Sequence, residues 1–228
     1  MSITENLEQV RERIKAAEQA AGRPNGSVRL LAVSKTYPME SIQEAFRDGQ
    51  TAFGENKVQE LAVKEPLLKE AEWHLIGHLQ SNKVRAALAL AVWIHSVDSL
   101  ELMKRIERIA AEDGRKAKLL LEVNVSHEES KFGMTDAEVE ETVLAAQEGP
   151  CPCVGLMTVA PATASDQELH HVFGQLRELR DRMAQKTGVA LPELSMGMSG
   201  DMEIAIAEGA TIVRIGTAIF GARDYSKA

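Results

Sequence analysis

The sequence predicts a single α/β domain folded as a closed (β/α)8 TIM barrel with an extra N-terminal helix. Three observations carry that prediction. Eight strand-like runs alternate with helix-like runs from residue 28 onward, and such alternation builds a parallel sheet that eight strands close into a barrel. The turn after the first strand, KTYPMES, holds no glycine, whereas an open doubly wound sheet usually carries a glycine-rich turn there. The 228 residues fit a barrel with little left over. No linker, low-complexity tract or second composition regime divides residues 1–228, so they are read as one domain.

The elements follow in chain order. Ser2 and Glu5 form a capping-box pattern, and Ile3, Leu7, Val10, Ile14, Ala17 and Ala21 recur at spacings of four and three. That is one apolar helix face, closed by Gly22 and Pro24. Residues 1–22 are therefore expected to lie as a helix on the outside of the barrel. Strand-like runs cover 28–35, 51–55, 72–77, 92–97, 118–124, 153–158, 192–196 and 211–215. Between them, 39–48 ends at Gly49, and 56–64 opens on an N-x-x-Q cap pattern at Asn56. Ser81 opens a further helix, and Leu102, Met103, Ile106 and Ile109 mark the stripe that Gly114 ends. Thr135 and Glu138 form a second capping box, with Gly149 and Pro150 closing that segment. A long stripe from Leu169 to Met183 closes at Gly188, and 201–208 closes at Gly209.

Composition excludes several classes of function. Lys and Arg number 26 against 34 Asp and Glu, a net charge of −8. An acidic surface repels phosphate backbones, so nucleic acid is not an expected partner. No apolar run is long enough to span a bilayer, and the polar N-terminus lacks the core of a signal peptide. No membrane association and a cytoplasmic location are the expectation. Cys151 and Cys153 flank Pro152, too close for an ordinary disulfide and too few for zinc, so both are read as structural. His74 and His78 share no helical face, and His170 and His171 diverge on a helix; no metal site is expected. The exposed helices carry mixed charge without a leftover apolar stripe, which predicts a monomer.

The chemistry gathers on Lys35, which ends the run VRLLAVSK. A lysine at a strand end is commonly a solvated charge. In a barrel, however, the C-terminal ends of the strands form the active-site face. Period-two alternation then puts Lys35 on the face of Leu31 and Val33. If that face is the inner one, the amine enters the barrel mouth, where desolvation makes it a nucleophile for Schiff-base chemistry. Glu55, Asn56, His95, Ser96, Asn124 and Thr158 fall at the same level. Asn56 also reads as a helix N-cap. After strand seven, SMGMSGD leads into a helix, and after strand eight RIGTAIFG does the same. Ser199 and Gly200, with Gly216 and Thr217, stand at the two loops where barrels build phosphate sites; capping and tight turns are the alternative reading. Arg214, inside TIVRIG, needs either an internal salt bridge or a bound ligand.

A strand-one lysine and a phosphate site after strands seven and eight are the two handles of pyridoxal 5′-phosphate. The segments AVSKTYP, FGENKVQE, WHLIGHLQSNK, VNVSHEESKFG, GLMT and MSGDMEIAIAEGATIVRIGTAIFG resemble the pyridoxal phosphate homeostasis proteins. Those proteins are similar to the barrel domain of fold-type III enzymes such as alanine racemase. The resemblance runs from Val33 to Gly221. It implies that Lys35 carries the cofactor as a Schiff base and that Ser199, Gly200, Gly216 and Thr217 cradle its phosphate. It further implies that Arg214 faces the pyridine nitrogen and Asn56 lies near the ring. No residue is assigned a catalytic role. The expected function is intracellular homeostasis of the cofactor, with pyridoxal-phosphate-dependent apoenzymes as candidate recipients. The alternatives are an amino-acid racemase of low activity and a cofactor-free Schiff-base aldolase acting on a phosphorylated substrate.

Overall fold

The computed structural model describes residues 2–125, 133–147 and 149–222. Most of the motif VNVSHEESKFG, residues 126–132, lies outside them. Helix α1 (Ile3–Ala20) precedes an alternating series. The series runs β1 (Arg29–Val33), α2 (Met39–Arg47), β2 (Ala52–Glu55), α3 (Val58–Lys64), β3 (Glu72–Leu75), α4 (Val84–Leu90), β4 (Trp93–Val97) and α5 (Leu100–Asp113). It continues with β5 (Lys118–Glu122), α6 (Asp136–Ala145), β6 (Cys153–Met157), α7 (Asp166–Thr187), β7 (Glu193–Ser195), α8 (Met202–Ala207), β8 (Ile212–Ile215) and α9 (Thr217–Phe220). The eight strands are parallel and close in sequence order, with β8 pairing back onto β1.

Each expected strand is present, and each is shorter than the run that announced it. The first ends at Val33 rather than residue 35, because Ser34 and Lys35 turn off the sheet. Helix ends follow their caps: both expected capping boxes form, and Gly114 and Gly188 close α5 and α7 at φ 63° and 71°. Ser99 and the Ser165–Glu168 box cap α5 and α7 as well. Helix α6 ends at Ala145, short of Gly149. Ser81 opens only a single 3-10 turn, from which α4 continues.

Two apolar clusters divide the core. The outer one joins the helices to the outward face of the strands, with Phe53, Ile94, Val213 and Ile215 among its members. The inner one fills the barrel with Leu31, Ala52, Trp93, Leu120, Met157 and Ile212. Leu31 thus lies inside, and Arg214 is its register partner on β8. Helix α1 lies against the last units. Asn6 Nδ2 donates to Ile219 O at 2.8 Å, and Arg23 Nη1 donates to Ile206 O and Ala210 O at 2.9 and 2.7 Å. Its buried Glu18 accepts from Gly26 N at 3.0 Å, Ser27 Oγ at 3.2 Å and Val28 N at 2.7 Å, which fixes the entry into β1. Cys151 and Cys153 are buried thiols, which burial pushes up to about 11 and about 12.

The barrel interior also holds a polar chain. Arg214 Nη1 lies 2.8 Å from Ser195 Oγ, which lies 3.0 Å from His95 Nδ1; His95 Nε2 lies 2.9 Å from His74 Nδ1. A guanidinium only donates, so Ser195 Oγ accepts from Arg214; which nitrogen carries the proton on each histidine sets the direction of the two links beyond it. His74 Nε2 lies 3.4 Å from Glu72 Oε1. Arg29 and Lys118 lie over the Trp93 ring, and Arg29 pairs with Glu72, closing this end of the barrel.

Two stability predictions follow from these contacts. Glu18→Ala strands two amides and a hydroxyl, at a cost of about 1–3 kcal/mol; a urea titration that finds no loss contradicts the anchoring role. The second concerns pH. Burial pushes His74 down, and burial with the neighbouring His74 and Arg214 holds His95 well below its usual range. The unfolded chain protonates both near pH 6.5. Below that pH the unfolded state binds more protons, so the stability tied to neutral histidines is complete above about 6.5 and is lost as pH falls. Burial raises Glu55, Glu107 and Glu122 to about 7, and these carboxyls act oppositely in the same window. The histidine effect is therefore read by difference. The stability gap between wild type and His95→Gln should move in favour of the variant between about pH 7.5 and 5.5; a constant gap rules the effect out.

Candidate functional site

Lys35 continues the inward series of Leu31 and Val33 past the end of β1, and that alternation brings it to the C-terminal mouth of the barrel. A cavity of about 410 Å³ opens there. Its walls are Val33 at the end of β1, Lys35 just beyond it, Asn56 after β2, Ile76 after β3 and Val159 after β6. Met198, Ser199 and Gly200 line it from the loop after β7, and Arg214, Gly216 and Thr217 from β8 and the loop that follows. The seven residues singled out from sequence (Lys35, Asn56, Ser199, Gly200, Arg214, Gly216 and Thr217) are all brought together. Ile76, Val159 and Met198 were not foreseen. Ile76 lies two residues beyond His74 on the inward face of β3, so alternation would have found it. Val159 and Met198 are loop residues, which no periodicity marks.

The two loops after β7 and β8 meet at Ser199. Its Oγ accepts from Ala218 N at 3.5 Å and from Thr217 Oγ1 at 3.4 Å, both long contacts that leave the hydroxyl available. It does not cap α8, whose N-terminal flanking residue is Asp201, with Oδ1 accepting from Met198 N at 2.5 Å. Gly197 has φ 92°, and a Cβ there would lie 2.6 Å from Ala205 Cβ, so the turn requires glycine. A Cβ at Gly200 would meet no atom within 4 Å. Its lack of a side chain relieves no crowding and instead leaves open the space between the two loops. Gly216 serves the barrel seam, where a Cβ would come within 3.3 Å of Val33 O.

Asn56 does not cap α3 either. The helix begins at Val58 after Lys57, with no side-chain cap. Its backbone belongs to the barrel rim: a Cβ at Gly77 would lie 2.4 Å from Asn56 O. Neighbouring Glu55 is not at the mouth. The alternation that turns Ala52 inward turns Glu55 outward, where it is fully buried and accepts from Ser34 Oγ at 2.6 Å and Lys64 Nζ at 2.8 Å. Thr158 contributes its carbonyl rather than its hydroxyl, which donates to Val123 O at 2.8 Å.

Arg214 forms the inner part of this site. Its Nη1 donates to Ser195 O at 2.7 Å and its Nη2 to Thr158 O at 2.9 Å. No carboxylate among the described residues lies within ion-pair distance, so of the two readings of Arg214 the internal salt bridge is not found; strand-end carbonyls take its place. Burial lowers its pKa to about 10, offset at longer range by Glu122 and Asp201. It therefore stays a cation at neutral pH. The cavity thus combines an amine, a loop pair rich in N–H and O–H donors, and a fixed guanidinium. That donor set fits a phosphorylated aldehyde with a ring nitrogen.

Comparison with known proteins agrees with this fit. The family model for the alanine racemase N-terminal domain matches residues 6–224. A pyridoxal phosphate homeostasis protein of Aquifex aeolicus is 44% identical over 228 residues, covering 99% of this chain and 100% of that one. PipY of Synechococcus elongatus, solved with and without PLP, is 40% identical. Its structure without PLP superposes with a TM-score of 0.88 over 96% of this chain and 100% of its own. Alanine racemase from Corynebacterium glutamicum shares the fold at 19% identity and a TM-score of 0.72, over 97% of this chain and 63% of the racemase. The chain therefore belongs to the alanine racemase N-terminal domain family, alongside the pyridoxal phosphate homeostasis proteins.

Proposed function

We propose that this chain binds pyridoxal 5′-phosphate, holds it as a Schiff base on Lys35, and serves its homeostasis inside the cell rather than turning over amino acids. The observation that carries this reading is the convergence of all seven residues on one cavity. Lys35 supplies the amine, whose nitrogen replaces the aldehyde oxygen, released as water. Ser199, Gly200, Gly216 and Thr217 hold the phosphate, Arg214 faces the ring nitrogen, and Asn56 borders the ring. Relatives named for homeostasis of the cofactor, and PipY solved with PLP bound, support the same assignment.

Pyridoxal phosphate supplies an electron sink for carbanion chemistry when its ring nitrogen is protonated. The charged Arg214 disfavours that protonation by like-charge repulsion. Racemisation also needs proton transfer on both faces of the substrate carbon. Among the described residues lining the cavity, Lys35 is the side chain suited to move a proton at neutral pH. The corresponding part of the larger racemase is joined to further sequence that this chain does not match. We read residues 1–228 as one carrier domain that acts as a monomer. Its linkage to the cofactor is reversible, so it serves to shield the aldehyde and deliver it to apoenzymes.

The decisive experiment has two arms. Protein loaded with pyridoxal phosphate should absorb as an imine, and borohydride should fix the cofactor on the peptide containing Lys35. Sustained racemisation of pure D- or L-amino acids at rates typical of enzymes would overturn the carrier reading. Lys35→Ala should lose the imine absorbance yet keep reversible binding through the phosphate loops. Ser199→Ala should weaken binding by roughly 1.5–3 kcal/mol while the imine still forms at high cofactor concentration. An unchanged imine spectrum in Lys35→Ala would mean that a different lysine carries the cofactor.

A further inference from the structure

The turn that presents Lys35 is strained, and it is held from outside the cavity. Thr36 has φ 70°, and it is the one non-glycine residue at positive φ among the described residues. A β-branched side chain avoids this region because its Cβ crowds the following carbonyl. Such strain persists only where the surroundings over-determine it. Here the restraint is a cluster on α3 and the outer face of β2. Thr36 N donates to Glu60 Oε1 at 2.5 Å, and the same oxygen accepts from Lys64 Nζ at 2.7 Å. Lys64 Nζ also donates to Ser34 O and to Glu55 Oε1, each at 2.8 Å. The three ammonium protons of Lys64 are thereby matched to three acceptors. One of them, Ser34 O, belongs to the residue before Lys35; another, Glu60, grips the residue after it.

Packing does not require this cluster. Val58 and Leu61 also seat α3 in the core, and although removing one partner of a buried pair is costly, the pair itself is weak evidence for stability. Its consequence is local: the backbone on both sides of Lys35 is tied to α3, and the residue between the ties faces the cavity. We infer that Glu60 and Lys64 are positioning residues for Lys35, a strut that holds its strained turn so that the amine meets the aldehyde of a bound phosphorylated ligand. The inference rests on the proposed use of Lys35 as the Schiff-base lysine.

Two ligands separate the strut from general stability. Pyridoxal 5′-phosphate needs both the amine and the phosphate loops. Pyridoxine 5′-phosphate carries an alcohol in place of the aldehyde and needs only the loops. Glu60→Ala is expected to weaken pyridoxal 5′-phosphate binding about tenfold, equivalent to about 1.4 kcal/mol, and to leave pyridoxine 5′-phosphate binding unchanged. Glu60→Gln keeps an acceptor oxygen and should retain most of the affinity. Adding Thr36→Gly to Glu60→Ala should recover part of the loss, because glycine adopts φ 70° without strain. Glu60→Leu, which fills the space with an apolar side chain, gives the same reading where the alanine variant folds poorly. Equal loss for both ligands, or no loss for either, overturns the strut, as does a failure of Thr36→Gly to recover binding. A wild type in which borohydride traps nothing on Lys35 overturns the cofactor reading itself, and this inference with it.

Discussion

The register of β1 against β8 fixes the geometry on which the cavity depends. Leu31 pairs with Arg214 and Ala32 with Ile215, which closes the barrel. Side chains alternate with period two, so a slip of β1 by one residue would turn Leu31 outward and carry Lys35 away from the mouth, while Arg214 on β8 stayed inside. Closure also joins residues far apart in sequence, the amine from the first strand and the loop donors after the last. Gly216 permits the seam, since a larger residue would press on Val33 within 3.3 Å. Helix α1 lies outside these last units, so its anchor at Glu18, the bond from its Asn6 to Ile219 O and the bonds from Arg23, just beyond it, to Ile206 O and Ala210 O brace the same junction.

A guanidinium inside a barrel is costly unless its donors are satisfied. Here the solution comes from where β6 and β7 stop. At the strand ends, Thr158 O and Ser195 O point at Arg214. Ser195, which accepts from the guanidinium, then links it to His95 and His74. Neutral histidines suit the arrangement, because a second buried cation beside Arg214 would meet repulsion as well as desolvation. The cation at the cavity floor and the uncharged polar interior beneath it are parts of one constraint.

Much of this was legible in the sequence for identifiable reasons. Strands buried on both faces appear as short apolar runs, so all eight were readable, while their ends were not: Ser34 and Lys35 follow directly on the run from Val28 to Val33, yet they lie beyond the last residue of β1. Lys35 was readable because alternation extends past the strand end, and the resemblance pointed to the same lysine. Asn56 and Ser199 were ambiguous because a good cap residue and a rim residue are the same kind of residue. Tertiary contacts decided the matter, Gly77 against the Asn56 backbone and Asp201 as the true start of α8. Glu55 was assigned to the mouth by its level alone, although the parity set by Ala52 turns it outward. The partners of Arg214 and the cluster around Lys64 were out of reach, since each joins groups whose proximity only the closed barrel creates.

The two ends of the cavity owe their shape to different physics. The arginine floor is set by strand register and by a hydrogen-bonded interior in which each group constrains the next, so it has little freedom to move. The lysine end sits on a short turn with one residue in an unfavourable conformation, restrained by side chains of a neighbouring helix rather than by the sheet. A covalent link formed at such a turn can be made and broken while the floor and the phosphate loops stay in place. In the proposed use of the site, that division would separate grip from reaction: the barrel would hold the phosphate and ring, and the turn would set the equilibrium of the amine with the aldehyde. An enzyme that turns over substrate needs the reverse emphasis, with a second proton carrier fixed as rigidly as the first. The residues lining this cavity supply a single amine on a restrained turn above a fixed cation, an arrangement suited to holding and releasing an aldehyde.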